Sequence, residues 1–69
     1  MTKTELTKQL TAIHGSPILC LAEIAKYFRM GRERAADMMK GCRYEQRGRG
    51  MYFFAADVAE RYMEQTEVF

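Results

Sequence analysis

Five cations set the chemistry this chain can offer: Arg32, Arg34 and Lys40 within one short stretch, then Arg47 and Arg49 on either side of Gly48. A guanidinium is a planar fork of donors that fits phosphate, or the O6 and N7 edge of guanine. On a helical wheel, Ala35, Met38 and Met39 form one apolar arc. Glu33, Ala36, Asp37 and Lys40 lie opposite, with Arg32 and Arg34 on the flanks. The N-terminal part of a groove-reading helix meets base edges, so Arg32 or Arg34 is expected to read a guanine. Small Ala36 allows close approach to bases or to a thymine methyl. Glu33 and Asp37 would repel phosphates, so they are expected to accept from a cytosine amino group, or to steer Arg34 and Lys40. Arg47-Gly48-Arg49 reads as an exposed, projecting tip that can follow a DNA backbone or enter a minor groove. Arg43 completes the expected DNA-binding set.

The charge distribution supports a polyanion-facing surface. Residues 26–49 hold eight basic side chains against three acidic ones, a net +5, while the rest of the chain is net −3. A basic middle between acidic ends favours one binding face over general stickiness. Catalytic chemistry is not expected. His14 is the single histidine, no nucleophile–base pair is evident, and the GRG turn does not lead into a helix as a phosphate loop would. Cys20 and Cys42 read as cytosolic thiols, and with His14 they fall short of the roughly four ligands a structural zinc needs. No cofactor or metal is expected. The N-terminus lacks the apolar core of a signal peptide, and no apolar run approaches the roughly 20 residues of a membrane span. A cytoplasmic placement away from membranes follows as the expectation.

These side chains need a scaffold, and 69 residues allow one small domain. The spacing predicts a first helix over residues 2–13, capped by Thr2 or Thr4, with Glu5 in its first turn. Leu6, Leu10 and Ile13 form its inward stripe, Lys8 and Gln9 face water, and His14 reaches the last carbonyls. Gly15 and Pro17 stop it. Ser16–Leu19 reads as a short extended lead-in, with Ile18 and Leu19 pointing inward. Leu21–Phe28 is a second helix, with Leu21, Ile24, Ala25 and Phe28 on one face. Arg29, Met30 and Gly31 turn the chain into a third helix, Arg32–Lys40, which Gly41 ends. Residues 42–54 form a two-stranded hairpin, and Tyr44 lies on its first arm. Its register leaves open whether Met51 and Phe53 or Tyr52 and Phe54 face inward. The outward aromatic becomes a candidate protein contact. Residues 56–65 form a last helix with Val58, Ala59, Tyr62 and Met63 on one arc. Tyr27, Phe28, Phe53 and Tyr62 are expected in the core, and residues 1–2 and 66–69 are expected to fray.

The resulting fold is mostly α with a small β-hairpin: helix, helix-turn-helix, two-stranded wing, C-terminal helix. Ile24–Met38 follows the general helix-turn-helix pattern in Ile24, Ala25, Phe28, Met30, Ala35 and Met38. It departs at Arg29, where many such motifs have glycine, which leaves the shape of the turn open. LAEIAKYFRMG, a basic helix, a glycine-tipped hairpin and FFAADVAERYM together resemble the small excisionases, over roughly residues 18–63. These are recombination directionality factors of conjugative transposons and prophages, and they share a winged-helix fold with MerR-type DNA-binding domains. The resemblance implies binding to double-stranded DNA, bending of it, and assistance to a tyrosine integrase during excision. An integrase and further copies on DNA are then the candidate partners. It also implies that Arg32, Arg34, Asp37 and Lys40, with Arg47 and Arg49, form the DNA-binding parts. The first helix, not a constant feature of that group, reads as a lid over the core, with a protein contact as the other reading. The rival readings are an AlpA-like transcriptional regulator of the same fold, and a protein-interaction module without DNA binding.

Overall fold

Residues 2–65 are described by a computed structural model. Helix α1 spans Lys3–His14 and opens on a reciprocal cap. The Glu5 backbone N–H donates to the Thr2 hydroxyl at 3.2 Å, and the Thr2 N–H donates to the Glu5 carboxylate at 3.1 Å. This satisfies donors that a helix start leaves orphaned. Thr2, one of the two caps the sequence offers, takes that position. Met1 and residues 66–69, expected to fray, lie outside the described residues. Strand β1 is Ile18–Cys20, helix α2 is Leu21–Phe28, helix α3 is Arg32–Met38, strand β2 is Glu45–Arg47, strand β3 is Gly50–Phe54 and helix α4 is Ala55–Gln65.

The sheet has three strands, in the order β1-β3-β2, all antiparallel. The sequence suggests only the β2–β3 hairpin. The lead-in after Pro17 is the third strand, with Ile18, Leu19 and Cys20 opposite Phe54, Phe53 and Tyr52. The Ala55 N–H donates to the Pro17 carbonyl at 2.7 Å and extends this ladder. The physical reason is the inner edge of β3, whose backbone groups need partners once buried. β1 supplies them from a segment too short to carry its own signal. The register places Leu19 and Phe53 on the core side with Met51, and Ile18, Cys20, Tyr52 and Phe54 on the other. Ile18 and Leu19 thus do not both point inward, because consecutive strand residues face opposite ways.

One core draws on all four helices and on β1 and β3. Leu6, Leu10, Leu19, Ile24, Met38 and Phe53 are buried in it, with Val58 and Ala59 of α4. α1 lies along α4 and covers this core, and Lys3 pairs with Glu60 at 2.8 Å across the two helices. Ile13 does not join the stripe: it is 65% exposed. The inward row runs Leu6, Leu10, His14 at i+4 steps, which rotates Ile13 into solvent. His14 does not serve the last carbonyls of α1 either. Its Nδ1 lies 3.2 Å from Glu23 Oε2, joining the end of α1 to the start of α2. Of the four aromatics expected in the core, only Phe53 is fully inside. Tyr27, Phe28 and Tyr62 pack at its margin, with Phe28 and Tyr62 stacked at 4.0 Å.

The turn from α2 to α3 has a defined shape. The Met30 N–H donates to the Ala25 carbonyl at 2.9 Å and the Arg29 N–H to the Lys26 carbonyl at 3.3 Å. This is the paired closure of a Schellman motif, which needs a left-handed residue at its apex. Arg29 takes that role, at φ 55° and ψ 48°. The apex conformation is ordinary for glycine and costs other residues about 1–2 kcal/mol. α3 is also shorter than Arg32–Lys40. It ends at Met38 with Met39 as cap, and Lys40 lies in the turn that Gly41 completes at φ 87°.

Two stability measurements follow. Arg29→Gly should stabilise the fold by about 0.5–1 kcal/mol in urea unfolding, the relief of the apex outweighing glycine's extra entropy in the unfolded chain. Glu23 accepts the Cys20 backbone N–H at 3.0 Å, and chiefly for that reason its carboxyl is held below the ordinary value of 4.5. A depressed carboxylate contributes stability that is complete above the unfolded value and lost as pH falls through the folded one. Glu23→Gln should therefore lower stability at neutral pH, and its deficit should shrink as pH falls below 4.5.

Candidate nucleic-acid interface

α3 is too short to persist alone, so docking decides which side of it faces out. Ala35 and Met38 sink into the core with Met39. Arg32, Glu33, Arg34, Ala36, Asp37 and Lys40 all remain exposed. This is the division that the wheel predicts. Among the described residues, Arg32, Arg34 and Lys40 take part in no ion pair. The helix does not favour the two arginines where they are. Gly31 at its N-cap offers no side chain, and two arginines occupy the first turn, where the helix dipole disfavours cations. Glu33 is the one first-turn residue of the favourable sign.

The hairpin tip is a two-residue connection, Gly48-Arg49, between the paired Arg47 and Gly50. Gly48 takes φ 57°, the positive value that the first central position of a tight hairpin turn demands. Arg49 is exposed and free of ion pairs among the described residues. Arg47 is engaged: its Nε binds Glu45, and its guanidinium lies 5.7 Å from the Tyr52 ring centroid. Arg43 is engaged too. It binds Asp57 of α4 at 3.0 Å and lies 4.7 Å over the Phe54 ring. The ten sequence-selected residues thus fall into three groups. Six share the exposed side of α3 and its end, three form the hairpin tip, and Arg43 is drawn toward α4.

α3 and the hairpin meet along a groove of about 260 Å³. Exposed Ala36, Lys40 and Tyr44, half-buried Met51, and buried Met39 and Phe53 are among the residues that line it. Tyr44 lies in the loop before β2, not on the strand where the sequence suggests it. It is 50% exposed, with its ring 6.1 Å from that of Phe53. Sequence reasoning gave it no functional role. The available signal was a lone tyrosine between Gly41 and the basic tip, in a loop too short to bury it. No group of His, Cys, Asp and Glu among the described residues is placed to hold a metal ion, and no described helix is long and apolar enough to cross a membrane.

The chain matches no protein-family model, and no curated protein or solved structure is significantly similar to it.

The exposed side of α3 is costly to the fold it belongs to, and this can be measured. Arg32→Glu should leave stability unchanged or raise it by up to about 1 kcal/mol in thermal unfolding, since it replaces an unfavourable first-turn charge with a favourable one.

Proposed function

We propose that this chain is a sequence-specific double-stranded DNA-binding protein with a winged helix-turn-helix. In this reading α2, the Arg29 turn and α3 are the helix-turn-helix, and β2–β3 is the wing. α3 enters the major groove. Arg32 and Arg34 meet base edges, Ala36 allows close approach, and Glu33 and Asp37 orient the cations or accept from cytosine. Lys40 and Arg49 meet phosphates, Arg49 from the wing tip beside the minor groove. The observation that carries the reading is the set of exposed cations on α3 and its end, Arg32, Arg34 and Lys40, with Arg49 at the hairpin tip, that form no ion pair among the described residues. A solvated face selected only for stability would place carboxylates in the first turn of α3, not two arginines. Within the DNA-binding class, the resemblance over residues 18–63 favours an excisionase that assists integrase-mediated excision. Protection of sites beside an integrase attachment site, and not of a promoter, is the footprint expected of it.

The salt dependence of duplex binding tests the DNA-binding reading. The wild-type protein should retard a mixed-sequence duplex at low salt. Arg49→Ala should flatten the slope of log K against log salt by about 0.9, the release of one phosphate contact. Arg47→Ala should change it less, because Glu45 already offsets that charge. Absence of any shift at low salt would support an interaction module in place of a DNA reader.

A further inference from the structure

The groove between α3 and the hairpin has a chemical character of its own. Its floor and lower walls are apolar, from Met39, Met51, Phe53 and the Ala36 methyl. Its rim carries one cation without a carboxylate partner among the described residues, Lys40, and one aromatic, Tyr44. A protein core would leave no such rim, and a purely solvated surface would leave no such floor. The backbone of DNA has the matching two-sided character: an apolar deoxyribose face and an anionic phosphate at every step.

We infer that this groove seats one sugar–phosphate strand of duplex DNA, with Lys40 and the Tyr44 hydroxyl converging on a single phosphate. The inference rests on the DNA-binding reading and adds to it a clamp between the groove-reading helix and the wing. The deoxyribose face lies over Met51. The Lys40 ammonium supplies the charge, and the Tyr44 hydroxyl donates a hydrogen bond to a phosphate oxygen. Tyr44 is suited to this because its ring rests near Phe53 while half its surface stays open, so little freedom is lost when the strand arrives. The clamp fixes the distance between helix and wing along the duplex without reading any base.

The two rim groups differ in charge, and salt titration separates them. Fluorescence anisotropy with a mixed-sequence duplex compares wild type, Tyr44→Phe and Lys40→Gln over a range of salt. Tyr44→Phe keeps the ring against Phe53 and removes only the hydroxyl. It should raise Kd about tenfold with an unchanged slope, since a neutral donor releases no counterion. Lys40→Gln should raise Kd and flatten the slope by about 0.9. The double variant should lose less than the product of the two single effects, because both groups serve one phosphate. Wild-type affinity in Tyr44→Phe, or an unchanged slope in Lys40→Gln, overturns the clamp. If Arg49→Ala still flattens the slope in that case, the broader DNA-binding reading survives. If the wild type binds no duplex at low salt, both fall.

Discussion

The arrangement depends on the docking of a seven-residue helix. An isolated helix of that length does not form in water, because nucleation costs more than one or two turns return. α3 exists because Ala35, Met38 and Met39 are removed from solvent against α2 and the core. That burial also fixes rotation about the helix axis. Once three positions at i, i+3 and i+4 are inside, Arg32, Arg34, Ala36 and Lys40 have nowhere to go but out. The position of the cations is thus a by-product of apolar packing.

The same region carries the costs of the fold. Arg29 occupies a left-handed apex that glycine fits without strain, and the first turn of α3 holds two cations. A domain this small has a core worth only about 3–5 kcal/mol, so each concession is a noticeable fraction of the total. Elsewhere the local rules are obeyed closely. Thr2 and Glu5 cap α1 reciprocally, Glu23 closes the start of α2, and Gly48 fits its turn. A buried His14 Nε2 without a hydrogen-bond partner among the described residues is the exception outside this region.

The helices were legible because their signals are local: a periodicity, a cap, a stop. The same holds for the two sides of α3, which the order of residues 32–40 dictates. What escaped depends on partners distant along the chain. Ile18–Cys20 becomes a strand only because β3, more than 30 residues later, offers an edge. Ile13 turns outward because His14 takes its place toward Glu23. Arg43 is captured by Asp57 from α4, and Arg47 by its neighbour Glu45, so two of the expected free cations are partly neutralised. The hairpin register, which local pattern leaves open, is fixed by the pairing of Leu19 with Phe53. The groove that Tyr44 and Lys40 both line is a tertiary feature, and no spacing rule reveals it.

The sheet also governs how copies of this chain can meet. β2 is one of its outer strands, only three residues long, with Glu45, Gln46 and Arg47 all facing water. The other outer strand, β1, begins directly after Pro17, which has no amide hydrogen to donate. Both rims are therefore poor templates for a foreign strand, by virtue of shortness and charge on one side and proline on the other. Polymerisation through the main chain is blunted at each border. Contact between copies is thereby left to side chains, without the hazard of cross-β growth.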